Sequence, residues 1–151
     1  MKTTAMIMAA AALALAGCAE KPKIEECWSP DAKRIVKTMT EDGIVRQLKE
    51  ETRSGPFDEQ AFRKSLSVEV NAFIVTDWNQ TGALKCEAEA RATITRGDGS
   101  ILRGGPRALP FGVYPAEEKG PVYQIPTGLT FNSLIRDMEQ SARQIDASAA
   151  K

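Results

Sequence analysis

The sequence predicts an α+β domain: N-terminal helices, an antiparallel sheet of three to four strands built on one hairpin, and a C-terminal amphipathic helix. Two observations carry that reading. Apolar residues recur at helical spacing near both ends of the globular part, over 32–39 and 131–145. Between them, two adjoining runs alternate apolar and polar residues, 66–76 and 84–95. Helices laid on an antiparallel sheet bury both patterns at once.

In chain order, the first segment is not part of that domain. Lys2 is followed by an apolar run over 5–16 and then by small residues ahead of Cys18. The run falls short of the roughly 20 apolar residues of a spanning helix, and its flanks are those of a cleavable signal peptide. Leu15-Ala16-Gly17-Cys18 resembles the lipobox of bacterial lipoproteins. The resemblance implies a diacylglyceryl group on the Cys18 thiol, cleavage before that residue and acylation of the new amino terminus. Several acyl chains anchor stably where one is marginal. An ordinary secretory signal with a chance cysteine is the competing reading. Ala19 follows the lipid site where an aspartate would resemble an inner-membrane retention signal, so the resemblance implies the periplasmic face of the outer membrane. The organisation is then signal peptide 1–17, lipidated tether 18–26, one globular domain 27–147 and a flexible tail 148–151.

Removing 17 of 151 residues leaves 134, a length that suits one domain. Only Lys2 of the 20 basic residues is lost, leaving 19 basic against 20 acidic groups and a net charge of about −1. Such a balance argues against a nucleic-acid partner, which requires clustered Lys and Arg. The chain has no histidine, which removes the commonest general base and zinc ligand. The reading therefore expects no cofactor and no metal.

Ser29-Pro30-Asp31 supplies a hydroxyl cap, a proline at the first helical position and an acid in the first turn. Ala32, Ile35, Val36 and Met39 then share one helical face. Past Gly43, Ile44, Val45 and Leu48 fall on roughly the opposite face, so two short helices joined near Gly43 are expected. Ser54-Gly55-Pro56 ends the region, and a further short helical turn is expected over 58–62. In the first strand, Leu66, Val68, Val70, Ala72 and Ile74 form the expected core face. Asn and Gly in 77–82 suit the turn, and Leu84, Cys86, Ala88, Ala90, Ala92 and Ile94 form the core face of the second strand. Gly97-Asp98-Gly99 turns the chain into a short third strand over 100–103. Glycines and prolines over 104–128 argue against long regular elements there, leaving a short strand at 122–125. Phe131, Leu134, Ile135, Met138, Ala142 and Ile145 mark an amphipathic helix over 132–145, with a frayed end over 147–151.

Each residue set with chemical potential has a plainer reading. Glu87 and Glu89 share a strand face about 7 Å apart, a separation used by paired catalytic carboxylates. Lys85 and Arg91 flank them, however, and a solvated charged face predicts the same residues. Gly97-Asp98-Gly99-Ser100 lacks the spacing of a phosphate loop or nucleophile elbow and reads as a turn. Trp78, beside the hairpin tip, either folds back on the domain or offers a contact anchor, packing being favoured. Arg96, Arg103 and Arg107, with Phe111, Tyr114 and Tyr123 nearby, either line a surface for an anionic or carbohydrate partner or are scattered loop residues. No catalytic residue emerges.

The expected function is accordingly non-enzymatic: a lipid-anchored periplasmic interaction or accessory protein of the envelope, or an inhibitor or immunity-type binder. Its partners are the membrane, through lipid on Cys18, and an envelope protein, met through Trp78, Arg96, Arg103, Arg107 or Tyr114. The alternatives are a carrier of a small envelope ligand and a hydrolase using carboxylates. Once Cys18 carries lipid, Cys27 and Cys86 are the two thiols left in an oxidising compartment and are expected to form a disulfide. With Pro30, they give the whole a loose similarity to small bacterial lipoproteins that join a Cys-x-x-Pro-type helix start to a cysteine-bearing hairpin.

Overall fold

A computed structural model describes residues 22–52, 55–116, 120–126 and 128–150. The leader, the lipobox and Cys18 lie outside these, as do tether residues 19–21. Regular structure is present earlier than the sequence pattern implies, in a 3-10 turn, Ile24–Trp28, ahead of the helix cap. Ser29 then caps α1 (Pro30–Glu51): its Oγ accepts from Ala32 N at 3.1 Å, and Pro30 occupies the first turn, where its missing N–H leaves no bond unmade.

The two expected short helices are one, 22 residues long. Gly43 does not interrupt it because its missing side chain is filled by a neighbour: a Cβ there would lie 2.4 Å from Cε2 of Phe131. The apolar stripe drifts around α1 because the helix meets different partners along its length, among them the 3-10 turn, the first strand and the last helix. Ala32, Val36, Ile44 and Val45 are buried, and Thr40 among them satisfies its hydroxyl by donating to the Val36 carbonyl at 2.7 Å. A short α2 (Glu59–Ser65) follows, with Asp58 Oδ1 accepting from Ala61 N at 3.0 Å.

The sheet is antiparallel, in the order β1 (Leu66–Trp78), β2 (Leu84–Thr95), β3 (Ile101–Tyr114), β4 (Val122–Gln124). Its central strand alternates without a break: Leu84, Cys86, Ala88, Ala90 and Ala92 are buried. Both neighbours change parity at a bulge. In β1 the register slips between Asn71 and Ile74, with Ala72 at φ 52°, so Phe73 and Val75 pack on the core while Ile74 is 51% exposed. Ala72 and Ile74 were expected on the core side, and the extra residue is what displaces them.

The third strand does not stop near Arg103 but runs 14 residues, through the glycines and prolines that argued against it. A further slip in β1, between Val75 and Asp77, returns Trp78 to the helix side, and in β3 Gly105, at φ 89°, and Pro106 form a bulge opposite Arg91. The core set accordingly moves from Leu102 and Gly104 to Leu109, Phe111 and Val113. Because β4 pairs only with Gly112–Tyr114, most of the outer edge of β3 has no strand beside it, and a proline there removes no ladder bond.

That edge is covered by α3 (Leu129–Ala149). Ser141 Oγ accepts from Arg103 N at 3.2 Å and Asp137 Oδ2 from Gly105 N at 3.1 Å, while Thr130 Oγ1 donates to the Ala108 carbonyl at 3.3 Å. Phe131, Leu134, Ile135 and Met138 enter the core as their spacing predicted. The helix continues through Ala147–Ala149, where fraying was expected, in keeping with the helix propensity of alanine. The 3-10 turn, α1 and α3 all pack on one side of the sheet, whose opposite face is open among the described residues.

Candidate functional site

Two features stand out, both toward the β1–β2 hairpin tip. Asn79 builds the tip, its Oδ1 accepting from Thr81 N at 3.1 Å, Thr81 Oγ1 at 2.7 Å and Ala83 N at 3.0 Å. Gly82, at φ 79°, completes the turn. Cys27 and Cys86 form a disulfide with a Cα–Cα distance of 5.9 Å, within the ordinary range. Both are fully buried, so the bond fastens the 3-10 turn to the tip end of the sheet.

A cleft of about 420 Å³ opens there between Pro22, Lys23 and Glu26 on one side and Gln80, Thr81 and Pro121 on the other. Lys23 and Glu26 are the charged side chains lining it among the described residues, so it brings no pair of carboxylates together. Around this end lie large apolar groups in water. Trp78 pairs with Leu84, which places it on the helix-covered side, yet it is 58% exposed; it projects rather than folding back. Ile24 and Trp28 of the 3-10 turn are 41% and 40% exposed.

The second feature is the open sheet face. Lys85 Nζ and Asp77 Oδ2 form an ion pair at 2.9 Å across β1 and β2. Lys85, together with the Trp78 backbone N–H, holds the Asp77 carboxyl below its ordinary range, and Asp77 raises Lys85 in turn. The Tyr114 ring lies over Gly112, where a Cβ would come within 2.6 Å of it, beside Lys85. Ile74, Tyr114 and Val122 are all exposed around this pair. Farther along, Glu89 pairs with Arg91 at 2.9 Å, and a groove of about 230 Å³ runs between Ser67, Glu69, Arg91 and Arg103. Glu87 and Glu89 belong to this solvated face.

The arginines named from sequence do not gather. Arg107 lies across from Ala90 on the helix side and binds Asp137 with Nε and Nη2, at 2.8 and 2.6 Å. Arg96 binds Asp146 at 2.8 Å. Both fasten α3 to the sheet. Arg103 alone of the three stands on the open face, paired with Thr93. Of the aromatic residues, Phe111 is core and Tyr123 is buried, its hydroxyl 3.3 Å from Ser29 Oγ, whereas Tyr114 is exposed. Asp98 serves the turn, accepting from Ser100 N at 2.9 Å. Sequence reasoning missed Ile24, Trp28, Ile74 and Val122. The one legible signal was a tryptophan directly before a polar helix cap.

Among the described residues no group of acidic, cysteine or histidine side chains could hold a metal, and no helix is long and apolar enough to cross a membrane. Compared with protein-family models, curated proteins and solved structures, the chain matches none.

Proposed function

We propose that this protein is a lipid-anchored interaction module of the bacterial envelope, tethered through Cys18 and presenting the open face of its sheet to a protein partner. The observation that carries the reading is that face itself: three exposed apolar side chains, Ile74, Tyr114 and Val122, lie around the Asp77–Lys85 pair, and among the described residues no element is laid over them. An apolar centre with a charged surround is the ordinary composition of a partner contact.

In-cell crosslinking tests it. A photoreactive residue at Tyr114 or Val122 should give a discrete protein adduct, absent when the same group is placed at Lys37 on the outside of α1. Equal labelling from both positions would remove the interaction reading. The anchor has its own test: Cys18→Ser should abolish incorporation of a fatty-acid analogue, because the thiol is the acceptor. A second reading, carriage of a small envelope ligand, is favoured by the 420 Å³ cleft, which is large enough for one. Mass spectrometry of gently extracted protein would show a stoichiometric small molecule if it holds.

A further inference from the structure

The structure places both tryptophans of the chain, Trp28 and Trp78, at the end of the domain that holds Pro22, the first described residue. With Ile24 they are three of the seven large apolar side chains left exposed among the described residues. All three belong to the 3-10 turn or to the strand end that pairs with Leu84, on the helix-covered side of the sheet, the face opposite the Asp77–Lys85 side chains. The opposite end of the sheet is polar by contrast: there the Arg96–Asp146 ion pair and the Asp98 turn meet solvent, with Ile101 the one exposed large apolar group among the described residues.

We propose that this rim is a membrane-contact surface: Ile24, Trp28 and Trp78 enter the interfacial layer of the bilayer that carries the Cys18 lipid. The proposal rests on the lipoprotein reading of Cys18. Its argument is the reach of the tether. Four residue steps separate Cys18 from Pro22, the first described residue, and four steps span at most about 14 Å. A domain held that close meets the headgroup region with the end from which its tether emerges, and that end bears the indole rings. Indole suits this layer because its ring is apolar and its N–H still finds a partner among headgroups. Charge does not drive the contact, since Lys23 is outnumbered by Glu25 and Glu26 on the same turn. The contact therefore needs no anionic lipid.

Because the chain has two tryptophans and both lie in the rim, the native protein reports on itself. The acylated protein in its mature form, purified from membranes, is reconstituted into phosphatidylcholine vesicles whose acyl chains are brominated near the headgroup. Tryptophan emission should shift to the blue and lose intensity relative to unbrominated vesicles, and the loss should persist at high salt. Trp78→Ser, a change at an exposed side chain, should remove part of the quenched signal while leaving the circular dichroism unchanged. Emission that stays water-like and unquenched while the protein co-floats with vesicles overturns the proposal. A photoreactive group at Trp78 that labels a protein rather than lipid in cells overturns it too. Should mass spectrometry find no acyl group on Cys18, the lipoprotein reading fails separately. Coupling that thiol of the full chain to a maleimide lipid then restores the tether, and the same quenching readout decides the rim.

Discussion

Gly43 shows how a residue chosen against local propensity reports on tertiary packing. Alanine in its place would gain about 1 kcal/mol of helix propensity. The added methyl would also drive into the buried Phe131 ring, an overpacking that costs about 1–3 kcal/mol. Gly43→Ala should therefore lower stability by about 1 kcal/mol net in urea unfolding. Added to Phe131→Leu it should cost less than on its own, because the smaller side chain vacates the notch; equal costs in both backgrounds would break the assignment. Asp137 is the matching polar case. The Arg107 guanidinium is the main cause of its lowered carboxyl pKa, with the Gly105 N–H adding to it and partial burial opposing. A carboxyl lowered in the folded state contributes stability above its unfolded value and loses it as pH falls through the folded one. Asp137→Asn should thus cost about 1 kcal/mol at neutral pH, with the gap to the wild type closing below about pH 4. A gap independent of pH would show that the ion pair does not stabilise the fold.

At the scale of elements, the sequence displayed periodicity faithfully and hid interruptions to it. The central strand was legible residue by residue because its alternation has no break from Leu84 to Ala92. β1 and β3 were legible only up to their bulges, since one extra residue reverses which side chains face the core and a fixed period of two then assigns them wrongly. The prolines of β3 misled for a related reason. They argue against an interior strand, whereas most of this edge is met by α3, whose Ser141 and Asp137 accept from the Arg103 and Gly105 N–H groups. The bulge at Ala72 also carries a measurable strain. A left-handed backbone costs a residue with a side chain roughly 1–2 kcal/mol, of which glycine's greater freedom in the unfolded chain offsets about 0.5–1. Ala72→Gly should consequently raise stability by about 0.5 kcal/mol, read as a higher thermal midpoint. Ala72→Val should lower it, because a branched side chain tolerates that conformation less well.

For the whole molecule, the sequence disclosed the class and the bond that ties its parts together, but not the surfaces it exposes. Which face of a sheet is left open depends on where three helices come to rest, and no pattern within β1 or β2 records that. Trp28 and Trp78 illustrate the gap: 50 residues apart in sequence, they reach one end of the domain through the disulfide between Cys27 and Cys86. That bond joins positions 59 residues apart, for which the loop-entropy estimate is roughly 4 kcal/mol. Such a contribution is large against the 5–15 kcal/mol of a typical domain. On β2 itself the core positions past Cys86 are alanines, Ala88, Ala90 and Ala92, which bury little apolar area per residue. Replacing both cysteines by alanine should therefore lower the thermal midpoint by roughly 15 °C. The native, unreduced domain should resist alkylation at both positions, and reduction should open them together. Because the same bond holds the 3-10 turn, the double variant should also release Trp28 from its fixed place beside the hairpin before the rest of the domain unfolds. Hydrogen exchange across Ile24–Trp28 would then rise well above that of the β2 core, whereas a uniform rise through the domain would mean that the turn is held by packing instead.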